Sequence, residues 1–517
     1  MSQTSDLPNG HHTLNESATD ASFTTETGRE DRLDTTKLGL SDEGNPIDKL
    51  VSKIGIGRYH YIIYVVVGIF YLCDGAEIIA ISFMNVTLED YWTLTHREVG
   101  SIGTVIFAGF FIGSLISGHL TDLFGRKKLY LIGVFFTFVT ALISAFAPTF
   151  TIMLIARGFY GAVIGILMPL AATILAEVSP NRIRGKVMVV VSSLFTFGEL
   201  MACGVAAITL TSTNVDGWRW LLVWVAIPAG ISFIVGMIFI LESPRYAIFK
   251  DFNFGISILN QISRINKKDE INLSSEEAKR MEGWIHNQKE AMAHTEGYKA
   301  LISPQNRNVS TKLWFMWFVL SFVYYGIVYV FPMVLAAEST DMNNSTEDIG
   351  SVFVSILGEI PSAILCYFLI EHTSYGRKNS MIVSFGCAGL ACWASWFCDG
   401  YLLTLLMFIA KFFANAAFAF IYPYTSEVYH TKYRTTGLGV ASAMSRIGGM
   451  LMPVITLACF NITPKFPFVI YGILCIGAAI TSWLLPYDTR GRELDKVMLT
   501  TEASPNTTQE LHTMAIA

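Results

Sequence analysis

The sequence predicts an all-α membrane protein whose twelve transmembrane helices form two pseudo-symmetric six-helix bundles. Charged residues make up 15% of the chain, against roughly 25% in ordinary soluble domains. Hydrophobic residues make up 52% and are gathered in long stretches. Short charged motifs also recur in the second half of the chain, at places that match those in the first half. Together these observations exclude an ordinary soluble domain.

Each long apolar stretch approaches the ~20 residues that a helix needs to cross the hydrocarbon core of a bilayer. Polar or charged segments separate the stretches, so each stretch is assigned to one helix. The predicted spans are residues 60–83, 98–118, 128–147, 151–175, 188–212, 219–241, 313–335, 348–370, 379–398, 402–427, 436–459 and 467–487.

Two charged signatures repeat in the chain. A Gly-Arg-Lys motif occurs at 125–127, after the second predicted span, and again at 376–378, after the eighth. Acidic Glu177 ends the fourth span as Glu427 ends the tenth. Both repeats are separated by about 250 residues, which indicates a duplicated half. Polar connectors that repeat in this way indicate a transporter built from two bundles with a solute path between them.

Positive charges are concentrated on one side of the predicted membrane. The connectors that follow even-numbered spans hold ten cations: Arg126, Lys127, Lys128, Arg182, Arg184, Lys186, Arg377, Lys378, Lys432 and Arg434. The connectors on the other side of the membrane hold three, Arg97, Arg219 and Lys465. Because short loops rich in Lys and Arg stay in the cytoplasm, both termini are expected there. The membrane is expected to be the plasma membrane or a vesicle membrane.

The composition of the chain predicts five segments. Residues 1–54 form a disordered cytoplasmic tail, residues 55–245 the first six-helix bundle and residues 246–312 a charged cytoplasmic linker. Residues 313–492 form the second bundle, and residues 493–517 a cytoplasmic C-terminal tail. The linker is too polar to enter lipid, so it is expected to tether two halves that rock against each other.

Five further motifs occur in register at the ends of the predicted spans. They are Gly118-x-x-x-Asp122-x-x-Gly125-Arg126-Lys127, Ala156-Arg157-Gly158-Phe159-x-Gly161, Glu177-Val178-Ser179-Pro180-x-Arg182-x-Arg184, Glu242-Ser243-Pro244-Arg245 and Pro486-x-Asp488-Thr489-Arg490-Gly491. Together they resemble the major facilitator superfamily over residues 55–495. The resemblance implies a fold of two six-helix bundles and transport by alternating access.

Other motifs resemble one branch of that superfamily, the synaptic-vesicle-glycoprotein-related and organic ion transporters. They are Cys73-Asp74-Gly75-Ala76-Glu77, Gly358-Glu359-Ile360-Pro361, Tyr422-x-Tyr424-Thr425-x-Glu427 and Ser445-Arg446-Ile447-Gly448-Gly449. The resemblance implies a secondary active transporter of a small organic solute. Some members of this branch are transporter-like vesicle proteins, so a binding or trafficking role is the alternative.

The resemblance also implies a cytoplasmic gate of charged residues at the inner ends of the helices. Exposed ion pairs contribute only ~0–1 kcal/mol each, so such a gate needs a network. The expected members are Asp122, Gly125, Arg126, Glu177, Arg184, Glu242 and Arg245, with Arg377, Glu427 and Arg434 as the second copy. The second copy lacks a clear equivalent of Asp122. The alternative is that the cations only set the topology.

Asp74, Glu77 and Arg157 are ionisable residues within predicted spans. A charge at the bilayer centre costs at least ~2.5–3.5 kcal/mol and therefore needs a partner or a function. Helical rise places Asp74 and Arg157 at similar depth, which predicts an ion pair between them. Relatives resembling this chain use such a pair in proton coupling, and Glu77 is expected to take part. A static structural pair is the alternative.

Four more ionisable residues, Glu199, Glu359, Lys411 and Arg446, are predicted near the midplane, where solute sites of such carriers lie. They are expected to bind the solute with aromatic residues such as Tyr325. The resemblance gives Arg446 special weight, because anion carriers of the branch have a base at its position and cation carriers an acid. A guanidinium suits a carboxylate, which favours a small organic anion such as a monocarboxylate. A cationic or sugar-like neutral solute is the alternative.

Several functions are not expected. The chain has no Gly-rich phosphate loop ending in Gly-Lys-Ser/Thr and no hydrolytic constellation, so neither a pump nor an enzyme is predicted. The eight cysteines lie inside predicted spans without metal spacing, so no metal or cofactor is expected. The expected partners are a small-molecule solute, protons and the lipid bilayer, with no nucleic acid.

Overall fold

The computed structural model describes residues 46–180, 183–210, 216–293, 297–338, 345–372, 376–429, 434–486 and 488. Within these ranges the chain forms α-helices with one 3-10 turn, and no strand. Twelve helical segments are long and apolar enough to cross a membrane. Their bounds lie within a few residues of the predicted spans, which confirms the prediction of an all-α fold with twelve transmembrane helices.

The described part of the first half contains eight helices, of which α1 precedes the first span. Sequence signals mark their ends: Thr95 caps the start of α3 in a capping box with Glu98, and Gly125, with φ at +85°, separates α3 from α4. The helices are α1 (Pro46–Ile54), α2 (Arg58–Tyr91), α3 (His96–Phe124), α4 (Arg126–Ala145), α5 (Phe150–Val178), α6 (Arg184–Ser192), α7 (Leu194–Thr209) and α8 (Gly217–Phe239).

Four short helices connect the halves and seven build the second half. The connecting helices are α9 (Pro244–Lys250), α10 (Phe252–Ile265), α11 (Ser275–Ala293) and α12 (Gly297–Ile302). The second half contains α13 (Arg307–Glu338), α14 (Ser345–Leu357), α15 (Glu359–His372), α16 (Gly376–Ala394), a 3-10 turn (Ser395–Phe397), α17 (Gly400–Val428), α18 (Arg434–Phe460) and α19 (Phe466–Trp483).

Two of the twelve spans are interrupted. The fifth span consists of α6 and α7, which meet at Ser193, and the eighth consists of α14 and α15, which meet at Gly358. A side-chain carbon at Gly358 would lie 2.4 Å from the carbonyl oxygen of Phe408, so this position requires glycine. The two interrupted spans pack against each other across the halves, α7 on α14 and α6 on α15.

Helices α3 and α5 cross in close contact through the glycines that the sequence places on both. A side-chain carbon at Gly113 would lie 2.0 Å from the carbonyl oxygen of Ala162, and one at Gly161 would lie 2.1 Å from that of Ile106. Small residues let backbones approach in lipid, where dispersion contacts rather than the hydrophobic effect hold helices together. Helix α3 therefore packs closely on α5, and it also packs on α18 of the second half.

The connecting segment is fixed to the first bundle at the end where both halves have their charged motifs. Lys268 donates to the carbonyl of Ile54 at 2.6 Å. Asn266 accepts a hydrogen bond from the backbone N–H of Tyr59 at 2.9 Å. Apolar residues of α1, α10 and α11 are buried in the same cluster as the base of the first bundle. The segment is therefore docked on one half.

Candidate solute and proton site

A small cavity lies between the two halves. It is formed by α2, α3 and α5 of the first half and by α13 and α18 of the second, and it encloses about 40 Å³. That volume suits a few water molecules and is too small for an organic solute. Its lining residues are mostly apolar or aromatic: Asp74, Glu77, Ile78, Ile81, Gly103, Ile106, Phe107, Phe110, Tyr160, Ile164, Tyr325, Tyr329 and Met452.

Arg157 forms a buried ion pair with Glu77. Its Nη1 atom lies 2.8 Å from Glu77 Oε2, and the two side chains are 0% and 1% exposed. The depth estimate predicted Asp74 as the partner, and the structure corrects this. The two acids are three residues apart on α2, so they share a face and differ by only ~4.5 Å in height. Depth alone therefore does not choose between them.

Arg446 of α18 contacts two residues that line the cavity, Phe110 and Tyr325, although it is not itself a lining residue. It is 5% exposed, and its guanidinium lies 3.8 Å from the ring centroid of Phe110. It donates a hydrogen bond to Tyr325, and it is the strongest opposite-charge partner of Asp74. Arg446 thus links an acid of α2 with an aromatic side chain of each half.

Some polar atoms around the cavity have no hydrogen-bond partner among the described residues. They include Glu77 Oε1, Arg446 Nε and the hydroxyl of Tyr329, all buried. Burying a polar group without a partner costs roughly 1–3 kcal/mol. A cluster of such atoms, one acidic and one basic, beside an apolar surface is typical of a site that binds a ligand.

Glu199, Glu359 and Lys411 meet each other in a second buried cluster. Lys411 Nζ lies 2.8 Å from Glu199 Oε2 and 2.8 Å from Glu359 Oε1. Glu359 also accepts from the Tyr324 hydroxyl and from Thr196 Oγ1, each at 2.7 Å. None of the three charged residues lines the cavity. The predicted solute residues therefore divide into two groups. Tyr325 lines the cavity and Arg446 contacts it, whereas Glu199 and Glu359 both bond to Lys411.

The first copy of the predicted gate is assembled around Arg126. Its Nε lies 3.2 Å from Glu177 Oε2, and its Nη1 lies 3.4 Å from Asp122 Oδ1. Glu242 accepts from the backbone N–H groups of Arg126 and Lys127 at 2.8 and 3.2 Å. The Glu242 carboxylate thus caps the start of α4, where the helix dipole favours negative charge.

The second copy repeats this arrangement with Asp488. Arg377 pairs with Glu427, as Arg126 pairs with Glu177. Asp488 accepts from the backbone N–H groups of Arg377 and Lys378 at 3.1 and 3.0 Å, so it caps α16 as Glu242 caps α4. The sequence did contain this signal, since both acids belong to motifs that follow the last helix of a half.

The structure locates the remaining predicted gate residues in part. Gly125 separates α3 from α4, and a side-chain carbon there would lie 2.6 Å from Glu242 Oε2. Arg184 is the first residue of α6 and Arg245 the second of α9. Arg434 begins α18, and its side chain lies outside the described part of the chain.

Sequence analysis missed the neutral partners of the buried charges. Thr196 and Tyr324 complete the cluster around Glu359, and Phe110 packs on Arg446. These residue types are common in apolar helices, so no pattern marks them. Only the contact between helices far apart in sequence identifies them.

Two bundles with charged clusters at one end and a cavity between them are the architecture of a solute carrier that crosses the membrane. The chain belongs to the major facilitator superfamily, because a family model described as "Sugar (and other) transporter" matches residues 60–499. The synaptic vesicle 2-related protein of Rattus norvegicus is 28% identical over 474 residues, covering 88% of this chain and 83% of that protein. These findings confirm the predicted superfamily and branch.

Two further comparisons agree with this membership. The organic cation/carnitine transporter 7 of Arabidopsis thaliana is 27% identical over 503 residues, covering 89% of this chain and 98% of that protein. The crystallised proton:xylose symporter XylE bound to 6-bromo-6-deoxy-D-glucose is 19% identical with a TM-score of 0.67, covering 84% of this chain and 98% of that structure. At this identity the likeness to XylE concerns the fold alone.

Proposed function

We propose that the chain is a proton-coupled carrier of small organic anions that works by alternating access. The observation that carries this proposal is the position of Arg446. Its guanidinium is buried, its Nε has no hydrogen-bond partner among the described residues, and it is the main opposite charge that acts on Asp74. A guanidinium binds a carboxylate through two parallel hydrogen bonds, so an anionic solute would compete with Asp74 for Arg446.

Proton coupling follows from that competition. When Asp74 binds a proton it no longer neutralises Arg446, and the guanidinium becomes available to an anion. Proton and anion then enter together, and the net charge of the site is unchanged. The buried Arg157–Glu77 pair, 2.8 Å apart beside Asp74, holds the neighbouring charges fixed. The proposed proton-coupling residues are therefore Asp74, Glu77 and Arg157.

The character of the cavity wall favours an amphipathic anion over a sugar. Phe107, Phe110 and Tyr325 supply aromatic surface, and Ile and Met side chains supply most of the rest. A sugar needs a hydrogen-bond partner for each hydroxyl, because unpaired buried hydroxyls are costly. A monocarboxylate with a ring or short apolar body would place its charge on Arg446 and its body on this wall.

An organic cation is the second candidate, and one observation favours it. The carboxylates that line the cavity are those of Asp74 and Glu77, and Glu77 Oε1 has no partner. Aromatic faces beside carboxylates also suit a quaternary ammonium group. The name of the Arabidopsis relative, an organic cation/carnitine transporter, agrees with this candidate.

Transport is favoured over a purely binding or trafficking role by the cost of the buried charges. Asp74, Glu77, Arg157 and Arg446 are each 5% exposed or less. A scaffold gains nothing from such groups in lipid, whereas a carrier uses them to bind and release charge. The gate clusters around Arg126 and Arg377 are proposed to hold one face of the carrier closed.

The proposed orientation places both termini and the 246–312 linker in the cytoplasm. The connectors with most of the positive charge, including Arg126 and Arg377, then lie inside. The halves, residues 55–245 and 313–492, are proposed to rock around the cavity, with tails at 1–54 and 493–517. The similarity to a synaptic vesicle 2-related protein supports a vesicle membrane as one possible location.

Uptake into proteoliposomes tests the proposal. The purified chain is given three classes of solute: ring-bearing monocarboxylates, quaternary ammonium compounds and neutral sugars. Each uptake is measured with and without an acidic outer solution. We expect uptake of a monocarboxylate, stimulated by the pH gradient. Asp74→Asn should abolish the stimulation, whereas Glu276→Gln, in linker helix α11, should leave it intact. Uptake of ammonium compounds only would establish the second candidate instead.

A further inference from the structure

The cluster of Glu199, Glu359 and Lys411 joins the two halves at a point away from the cavity. Glu199 belongs to α7 of the first half, whereas Glu359 and Lys411 belong to α15 and α17 of the second. Both carboxylates contact the same ammonium at 2.8 Å, and the three side chains are 0%, 0% and 2% exposed. The Arg126–Glu177 and Arg377–Glu427 ion pairs, by contrast, each lie within one half.

The charges of the cluster do not balance if both acids are ionised. Two carboxylates and one ammonium would leave a net charge of −1 among side chains that are 2% exposed or less, which is strongly unfavourable. The ionisable groups that interact with Glu199 are Glu359, Lys411, Tyr324 and Cys203. Lys411 is the one cation among them. One bound proton makes the cluster neutral.

The other helices packed on α7 do not supply a second cation. On α2, Asp74 and Glu77 interact with Arg446 and Arg157. On α8, Arg219 donates to the carbonyl groups of Ala145 and Ala147. On α6, Lys186 lies over the ring of Tyr367, and Arg184 is the first residue of the helix, about four turns away from Glu199 along the span. The described side chains of α14, residues 349–357, include no ionisable group.

The hydrogen bonds show which acid holds the proton. Glu359 accepts from Lys411, Tyr324 and Thr196, and three donors stabilise an ionised carboxylate. Glu199 accepts from Lys411 alone, and no N–H or O–H group of the described residues donates to its Oε1. The two carboxyl groups contact the same Lys411 ammonium. A proton on the carboxyl with fewer donors, that of Glu199, would remove the repulsion between two negative charges held this close.

We propose that Glu199 binds one proton, which keeps α7 attached to α15 and α17, and that release of this proton separates the halves at this point. Ionised Glu199 would give the cluster a net negative charge, and water would have to enter to stabilise it. The site lies beside the breaks at Ser193 and Gly358, where the two interrupted spans can bend most easily. The use of this proton in transport rests on the proposed carrier function, whereas its binding does not.

Infrared difference spectroscopy of the full chain in lipid nanodiscs tests proton binding without any solute. A protonated carboxyl has a C=O stretching band distinct from those of carboxylates and amides. Wild-type minus Glu199→Gln spectra at neutral pH should contain this band. Wild-type minus Glu359→Gln spectra should contain it as well, because Lys411 alone then balances an ionised Glu199. Glu276→Gln, in the exposed linker, should give no difference. If either of these two difference spectra lacks the band, the proposal is overturned.

Labelling of Cys203 tests the second part. Cys203 is 1% exposed and lies one turn from Glu199 on α7, so it becomes reactive only when water reaches the cluster. Alkylation of wild type, located by mass spectrometry, should increase several-fold from acidic to alkaline pH, relative to buried Cys475 as internal reference. Glu199→Gln should remove that increase. An equal increase in the variant would contradict the opening. Neither experiment needs transport, so absence of solute uptake would not affect them.

Discussion

Arg157 Nη1 and Glu77 Oε2 lie 2.8 Å apart in a part of the first bundle where neither side chain is more than 1% exposed. The pair fixes two opposite charges beside the cavity and leaves Asp74, one turn away on α2, to interact with Arg446 of the other half. On one turn of α2, Glu77 thus bonds within its own half and Asp74 interacts with the other half. We propose that Asp74, once it binds a proton, gives up Arg446 to the anionic solute.

Breaking the Arg157–Glu77 pair from one side should be more harmful than removing both charges. Arg157→Met leaves a buried carboxylate without its partner, which costs about 3–5 kcal/mol. The double variant Arg157→Met with Glu77→Gln should recover much of this loss. Melting temperatures in detergent for the wild type, both single variants and the double variant give the coupling energy. Additive losses would show that the two side chains do not interact.

The two acids of the first gate should differ in their effect on stability. Glu177 is 8% exposed and Asp122 is 77% exposed, although both contact Arg126. Exposed pairs contribute ~0–1 kcal/mol, so Asp122→Asn should shift the melting temperature little. Glu177→Gln should lower it clearly, because Arg126 is 14% exposed and loses its buried partner. Equal shifts would mean that burial does not determine the strength of this gate.

Two tyrosines at the cavity provide a matched pair of variants. The Tyr325 hydroxyl accepts a hydrogen bond from Arg446, whereas the Tyr329 hydroxyl has no partner. Tyr325→Phe should weaken solute binding about tenfold or more, as expected for a lost bond of about 1.5–3 kcal/mol to a charged group. Tyr329→Phe should leave binding unchanged. Competition by unlabelled solute in the uptake assay measures both. If Tyr329→Phe weakened binding and Tyr325→Phe did not, the solute would contact Tyr329 instead of Tyr325.

The close crossing of α3 and α5 should be sensitive to a single methyl group. Gly113→Ala would place a carbon 2.0 Å from the backbone oxygen of Ala162, which cannot move without shifting α5. Such overpacking costs ~1–3 kcal/mol. Gly118→Ala is the control, because no atom lies within 4 Å of the added carbon. Expression as a folded monodisperse protein and the melting temperature distinguish them. A stable Gly113→Ala variant would contradict the described crossing.

The sequence predicted the spans well because hydrophobic length alone determines where a chain can cross a bilayer. The duplication indicated that the charged motifs of the two halves match, and the structure pairs Arg377 with Glu427 as it pairs Arg126 with Glu177. Their role as a gate stays a prediction. Depth could not predict the partner of Arg157, because Asp74 and Glu77 share a face of α2. Nor could it predict that Lys411 meets Glu199 and Glu359, since that contact depends on how the halves pack.

The most direct measurement is uptake of a monocarboxylate by proteoliposomes that carry wild type, Arg446→Lys or Arg446→Ala, with the outer solution acidic or at the pH of the interior. Lysine keeps the charge but loses the two-pronged geometry, so Arg446→Lys should retain weak uptake and Arg446→Ala none, although both variants fold. Wild-type uptake should increase with outer acidity. Undiminished uptake of the anion by folded Arg446→Ala would contradict the account.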